Sequence, residues 1–368
     1  MTRESKAVVC REWGKPITVE TIRVAAPKRN EITIKVAACG VCHSDLSATT
    51  GKIQYPPPLV LGHEAAGVVI EVGEGVTAFQ EGDHVVSSFI SMCGKCRQCV
   101  RGRPVLCENA SKAMFTLPDG TVRTTDQDGN DLNVFGACGV MAEYATLHVD
   151  NAVKIEAGVP LQNAALVGCA VMTGVGAVFN TARLEPGSRA AVFGVGGVGL
   201  NAIQGCATAG AEMIVAVDTS DTKLEMARQF GATHTVNINE VEDAARAVKK
   251  LTGGVDYAFE CVGAGAVVAQ AYKSLGRGGT AVVVGVADPK DKTSIGTLSL
   301  PADERTLKGS WLGSARPQHD FPRILALYKA GKLKLDELVT RTYTIEEAPQ
   351  AFDDMVAGKN ARGVIVFD

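Results

Sequence analysis

Aromatic residues are scarce, with Phe, Trp and Tyr making up 5% of the 368 residues. Charge of either sign is not in excess: the formal net charge is −3 at pH 7, so no general field draws nucleic acid. No apolar run approaches the roughly 18 residues that a membrane span needs. The first residues, Met1-Thr-Arg-Glu-Ser-Lys6, lack the apolar core of a secretory signal. Fixed-period repeats and low-complexity tracts are missing, and 46% hydrophobic residues argue against disorder. A cytoplasmic, reducing compartment is the expectation, and there cysteines serve metals or catalysis more often than disulfides. The eleven cysteines are an odd number, so they cannot all pair within one chain.

At about 150 residues per domain, the length suggests two or three domains. The first part reads as β-rich. Ile32–Val36 alternates, Ala65–Val72 is a short apolar run, and Val85–Phe89 is a further strand candidate. Between Ala110 and Val134 a polar stretch carries Asp119-Gly120 and Asp128-Gly129, which favour tight turns, so an inserted loop or hairpin is expected. The style changes near residue 170. Ala190–Phe193, Met213–Val217, Asp256–Glu260 and Thr280–Val284 read as buried strands, with helices over Gly199–Ala209 and Lys223–Phe230. That alternation implies βαβ units and a doubly wound parallel sheet. Phe321–Ala330 reads as a helix and Ala361–Phe367 as a closing strand. The expected fold is α/β: a β-rich domain interrupted by a dinucleotide-type domain, with the C-terminal segment returning to the first.

Cys93, Cys96, Cys99 and Cys107 form C-x2-C-x2-C-x7-C. Four thiolates this close can close a tetrahedral shell around zinc, leaving no open position, so the role assigned is structural. Iron–sulfur ligation uses similar spacings, but the last gap and the lack of a following proline fit it poorly. Cys42, His63 and Cys169 are weak signals singly, since a lone Cys is usually a core residue. Together they would make a catalytic zinc site of the Cys₂His type with an open fourth position. Cys10, Cys39, Cys138, Cys206 and Cys261 read as core or loop thiols.

Gly194-Val-Gly196-Gly197-Val198-Gly199 follows a strand and opens a helix. The first glycine allows the tight turn, the second lets a pyrophosphate approach, and the third lets helix and strand pack closely. Asp218 ends the next strand, where a carboxylate can accept both adenosine ribose hydroxyls and repel a 2′-phosphate, so NAD is favoured over NADP. Lys223 is a candidate for positioning the ribose.

These motifs, with Leu166-Val-Gly-Cys169 and Ala361-Arg-Gly-Val364, resemble the zinc-dependent medium-chain alcohol dehydrogenases along essentially the whole chain. The tail looks like the branch containing nicotinoprotein and class III, thiol-adduct-oxidising dehydrogenases. The resemblance implies a GroES-like β-rich catalytic domain over 1–168 and 315–368, with a structural zinc loop at 93–107. It implies a Rossmann NAD-binding domain over 169–314, and an active site in the cleft between the two. Two Zn²⁺ per chain are implied: Cys42, His63 and Cys169 would hold the catalytic one and the four-cysteine loop the structural one. Asp45 and Glu64 would support the catalytic ion, with Glu64 approaching it during ligand exchange. His43 and Arg362 would face the pyrophosphate, Val284 and Val286 the nicotinamide, and Thr173, Gly197 and Val198 would add cofactor contacts. Phe89, Phe135 and Trp311 would wall the alcohol pocket. Ser44 would accept the alcohol's hydrogen bond and pass its proton on. Three residues later many relatives carry a relay histidine, and here stands Ser47, which leaves that last step to a hydroxyl, water or solvent.

The expected activity is reversible oxidation of a primary alcohol, aromatic or medium-chain, by hydride transfer to NAD⁺. A thiol-adduct formaldehyde dehydrogenase is one alternative, weakened because Thr49–Pro58 lacks the acidic residue such enzymes use there. A nicotinoprotein that keeps NAD(H) bound is another, and a non-catalytic NAD-binding protein is a third, opposed by the open zinc site. A homo-oligomer, a dimer before a tetramer, is expected through Thr280–Val286 and Leu307–Trp311.

Overall fold

The structure is a computed structural model that describes residues 2–110 and 114–368. Of the turn-rich 110–134 segment, residues 111–113 therefore lie outside the described residues. The chain divides into two compact units. The first comprises Met1–Cys169, Arg316–Ala326 and Leu335–Asp368, and the second Ala170–Ala315 and Leu327–Lys334.

The first unit is built on two sheets. One runs in the order Ala152–Ile155, His84–Ser87, Ala65–Val72, Glu31–Gly40, Arg362–Val366, Val339–Tyr343, with Tyr144–His148 also pairing to Glu31–Gly40. Glu31–Gly40 is central, which is why nearly all of it is buried and only Lys35 is exposed. Ile32, Ile34 and Val36 enter the main core with Leu59, Leu61, Val69 and Leu147. Arg362–Val366 closes this sheet antiparallel to Ala38–Gly40, so the last strand of the chain lies beside one of the first. The expected strand Val85–Phe89 stops at Ser87, because the Ser88 backbone N–H donates instead to Asn151 O at 2.8 Å.

The second sheet runs Thr124–Thr125, Thr18–Val24, Arg3–Cys10, Leu59–Val60, Asn133–Val134. The expected insertion thus adds two short strands as well as turns. Arg123 pins it: this buried guanidinium donates to Glu31 at 2.8 Å through Nε and pairs with Asp119 at 2.6 Å. A buried cation needs such partners, since removing one strands the charge.

The second unit is one parallel sheet in the order His234–Asn237, Met213–Asp218, Arg189–Phe193, Val255–Glu260, Leu275–Val283, Thr306–Gly309. The first three strands step outward from Arg189–Phe193, and the chain then returns to its other side at Val255–Glu260. That reversal is the switch point at which open α/β sheets bind ligands beyond their carboxyl ends. The strand expected at Thr280–Val284 begins at Leu275 and ends at Val283. The C-terminal return is also interrupted, since Leu327–Lys334 belongs to the second unit. Polar contacts account for this: Lys334 N–H donates to Gln204 Oε1 at 2.8 Å, and Lys332 O accepts from Thr208 Oγ1 at 3.0 Å. Among the described residues no single helix is long and apolar enough to cross a membrane.

Candidate active site

Cys42, His63 and Cys169 converge within the first unit. Cys42 caps the short helix His43–Thr49, His63 leads into the strand Ala65–Val72, and Cys169 follows the turn Leu166–Gly168. Their ligand atoms all lie within 4.8 Å of one another, and all three residues are buried. Asp45, one turn into the helix, is fully buried and reaches across to the histidine. Its Oδ2 is 3.2 Å from His63 Nδ1, and its Oδ1 accepts the Gly62 N–H at 2.8 Å. Nδ1 is thereby committed to Asp45. Nε2 is buried without a hydrogen-bond partner, with the Cys42 sulfur beside it.

Two sulfurs and one orphaned ring nitrogen match the donor set of a Cys₂His zinc site with a fourth position left open. The electrostatics agree. The bond shared with Cys169 holds the Cys42 thiol well below its ordinary value, against the opposing cost of burial, and His63 adds to the depression. Burial works against a charged His63, yet Asp45 and Cys42 together raise it to about 10. The group is therefore poised as thiolate and imidazolium, and a metal entering there displaces a proton.

Glu64 and Arg362, both buried, form an ion pair. Arg362 thus turns inward to a carboxylate in this structure. His43 is exposed at the helix start. Ser44 is half-buried one residue on, and its hydroxyl has no hydrogen-bond partner among the described residues. Ser47 is half-buried on the same helix.

Two of the three expected pocket walls flank His63. Phe89 lies edge-on to the imidazole with ring centroids 5.4 Å apart, and Phe135 does the same at 5.0 Å. Tyr55, which sequence reasoning did not select, packs on Phe135 at 4.5 Å. It lies in the Thr49–Pro58 segment, which the sequence singled out only for its lack of an acidic residue. Trp311 belongs to the second unit and is 43% exposed.

Cys93, Cys96, Cys99 and Cys107 form the other cluster, again with ligand atoms within 4.8 Å. Backbone N–H groups already point at the sulfurs: Cys93 N–H donates to Cys107 Sγ at 3.4 Å and Cys96 N–H to Cys93 Sγ at 3.3 Å. Asn109 Nδ2 lies 3.2 Å from Cys93 Sγ, and this contact with nearby backbone N–H groups pulls that thiol down to about 6. A further N–H, that of Cys99, donates to Cys96 Sγ at 3.5 Å, and donors aimed at three of the four sulfurs suit a thiolate shell around zinc.

The glycine turn sits at the carboxyl end of Arg189–Phe193 in the second unit. Gly194 has φ +88 and donates its N–H to Val217 O at 2.8 Å. A Cβ on Gly199 would run into Gly194 O, so the helix Gly197–Thr208 can pack this closely only with glycine there. Gly196 caps that helix and faces open space. Asp218 Oδ2 accepts the Val195 N–H at 2.7 Å, and Oδ1 accepts from Thr219 and Ser220 at 2.8 and 3.1 Å. The carboxylate therefore builds the turn and keeps lone pairs for a ligand. Gly197, Val198, Thr173 and Lys223 are half-buried, Val284 is buried, and Val286 is 55% exposed.

Comparison with known proteins adds family evidence. Residues 28–157 match the alcohol dehydrogenase GroES-like domain, and residues 197–330 match the zinc-binding dehydrogenase family. The chain is 41% identical to an NDMA-dependent alcohol dehydrogenase of Amycolatopsis methanolica, over 99% of each chain. It is 36% identical to an S-(hydroxymethyl)glutathione dehydrogenase of Paracoccus denitrificans, over 99% of this chain and 100% of the relative. Among solved structures it superposes on benzyl alcohol dehydrogenase from Acinetobacter calcoaceticus with a TM-score of 0.92, 33% identity and full coverage of both chains. With two domain matches in the expected order and relatives aligned end to end, the chain belongs to the zinc-dependent medium-chain alcohol dehydrogenases.

Proposed function

We propose that this chain is a zinc- and NAD-dependent alcohol dehydrogenase acting on primary alcohols, with aromatic alcohols the best-supported class. The observation that carries this reading is the buried Cys42/His63/Cys169 set with Asp45 behind the imidazole. When bound, zinc supplies Lewis acidity at the alcohol oxygen and NAD⁺ supplies the hydride acceptor.

The chain's own residues do the rest. Cys42, His63 and Cys169 hold the ion, and Asp45 fixes the histidine tautomer through Nδ1. Glu64, paired with Arg362, supports the same region, and Cys93, Cys96, Cys99 and Cys107 hold the structural ion. Ser44, its hydroxyl unengaged by protein, accepts the alcohol's hydrogen bond and takes up its proton. With Ser47 in place of a relay histidine, that proton leaves through a hydroxyl or solvent. Phe89 and Phe135 beside His63 offer apolar walls that exclude water and suit a ring. A solved relative named for benzyl alcohol favours the same class. In the second unit, Gly194–Gly199 receive the pyrophosphate at a helix start and Asp218 the ribose. Thr173, Lys223, Val284 and Val286 complete the dinucleotide site within that unit.

A relative named for its dependence on NDMA favours one second reading, in which NAD(H) stays bound and hydride passes to an external acceptor. The enzyme is proposed to be cytoplasmic, in keeping with eleven unpaired thiols. It is proposed to be a homodimer joined through the Thr306–Gly309 edge strand, which among the described residues has a neighbour on one side only.

The test is a panel of alcohols followed by NADH absorbance, with Ser44→Ala alongside. Benzyl alcohol should be oxidised, and Ser44→Ala should lower turnover while keeping its zinc. A nicotinamide absorbance band surviving dialysis, with turnover only when an acceptor is added, would favour the second reading.

A further inference from the structure

The two rings that flank His63 are carried by different segments, and both segments are fastened at Ser88. The strand His84–Ser87 stops one residue before it, and its ladder to Ala152–Ile155 ends with the Ser87–Ala152 pair. Beyond that pair Asn151 takes over. This residue is fully buried and grips Ser88 twice: its backbone carbonyl accepts the Ser88 N–H at 2.8 Å, and its Nδ2 donates to Ser88 O at 2.7 Å. The same amide meets Ser91, whose Oγ lies 3.1 Å from Nδ2 and 3.2 Å from Oδ1. Phe89 is therefore mounted between two clamped residues. A buried amide costs free energy unless it is paired, and both side-chain partners of this one lie in the short segment that carries the ring.

The Phe135 segment reaches the same carbonyl. Cys138 follows the turn Phe135–Ala137 and donates its thiol to Ser88 O at 3.5 Å. Within that turn Gly136 and Ala137 have φ of +62 and +56. Alanine avoids this region because its Cβ crowds the backbone carbonyl, and such a conformation persists only where the surroundings over-determine it. The surroundings here are the site itself. A Cβ on Gly136 would sit 2.8 Å from Phe89 Cβ and 3.4 Å from His63 Cβ, so the turn lies directly against both. All of these residues belong to the first unit.

We propose that Asn151 is a positioning residue for substrate selection: its amide clamps the 88–91 segment and thereby fixes the Phe89 ring as a wall of the alcohol pocket. The proposal rests on the reading of Phe89 as such a wall. A ring held beside His63 discriminates between alcohols by shape, whereas a ring free to swing yields to any of them. Selection of this kind appears in the ratio of kcat/KM values between two substrates.

The test uses the zinc-loaded full-length enzyme with NAD⁺ and compares benzyl alcohol with ethanol. Asn151→Ala removes the amide and leaves the backbone carbonyl that accepts the Ser88 N–H. It should lower the benzyl-to-ethanol kcat/KM ratio about fivefold, the equivalent of one net hydrogen bond. Phe89→Ala should lower the ratio as well. In that background Asn151→Ala should change it by less than about twofold, because the residue it acts through is gone. A second readout needs no turnover. With the eleven phenylalanines replaced by 4-fluorophenylalanine, the Phe89 fluorine resonance is the one missing from Phe89→Ala. It should move towards the position of the free amino acid in Asn151→Ala, which a merely stabilising role would not require. If Asn151→Ala does not fold, Ser91→Ala removes a partner of the same amide and should shift ratio and resonance likewise. A wild-type ratio and resonance in folded Asn151→Ala, with a lowered ratio in Phe89→Ala, would overturn the proposal while sparing the pocket reading. An equal fall with and without Phe89 would also overturn it, since Asn151 would then act by another route. An unchanged ratio in Phe89→Ala would overturn both.

Discussion

Asp45 Oδ2 lies 3.2 Å from His63 Nδ1, and both side chains are shut off from solvent. The contact keeps a proton on Nδ1 and leaves Nε2 as the nitrogen a metal can take. It also sets the ring plane, because Asp45 is itself held by the Gly62 N–H.

Removing that carboxylate should therefore loosen the metal before it affects the fold. Asp45→Ala is expected to weaken zinc retention at the catalytic site about 10–100-fold, the usual cost of losing a ligand's supporting partner. Competition with a chromogenic chelator measures this directly. Equal retention in the variant and the wild type would show that Asp45 does not orient the ligand.

Asp218 has two tasks, and one substitution separates them. Asp218→Asn keeps one of the two oxygens that accept turn N–H groups and removes the charge that opposes a 2′-phosphate. The NADP-to-NAD ratio of kcat/KM should rise at least about tenfold, since relieving a like-charge contact is worth about 1.4 kcal/mol or more. An unchanged ratio would place the ribose elsewhere.

The cysteine lobe carries Lys95, Arg97, Arg101 and Arg103 on its exposed surface. The bonds after Lys95, Arg97 and Arg101 are open to trypsin once the four-thiolate shell is broken, whereas Pro104 protects the bond after Arg103. Cys96→Ser should lose one zinc per chain and be cut within 93–107 much faster than the wild type, while the Cys42/His63/Cys169 zinc stays bound. Limited proteolysis with mass mapping reads the outcome. Wild-type resistance in the zinc-depleted lobe would contradict a structural role.

The C-terminal segment provides a pH prediction. Asp354 accepts from Lys359 at 2.9 Å, Arg341 at 2.7 Å, Tyr343 Oη at 2.9 Å and Gln350 at 2.8 Å. With Lys359 the largest cause, these hold its carboxyl at about 2. An unfolded aspartate titrates near about 3.9. A depressed folded value means that the stabilisation is present above about 3.9 and is lost as pH falls towards 2. Wild type should therefore lose stability between pH 4 and 2, and Asp354→Asn should lose less over that interval and be less stable at pH 7. Urea midpoints at pH 7, 4 and 3 decide it. Parallel pH dependence in the two proteins would remove Asp354 from the account.

The features legible in the sequence were those whose residues lie close along the chain. The C-x2-C-x2-C-x7-C cluster and the Gly194–Gly199 turn act within one short segment, so spacing alone implied their geometry. Partnerships made by the sheet were harder to read. The Arg123–Glu31 pair spans 92 positions and depends on where the 110–134 segment lands. Tyr55 joins the His63 surroundings only through Phe135, and no local pattern marks such a contact. Arg362 turned to Glu64 because a buried carboxylate draws a buried cation.

The central claim is that Cys42, His63 and Cys169 form a zinc site at which alcohol is oxidised. The most direct test measures benzyl-alcohol-dependent NADH formation and zinc content together in wild type and Cys42→Ala. Wild type should carry two zinc ions per chain and turn over benzyl alcohol. Cys42→Ala should carry one zinc ion, held by the Cys93/96/99/107 lobe, and lose nearly all turnover. Wild-type turnover by Cys42→Ala lacking the second zinc would contradict it.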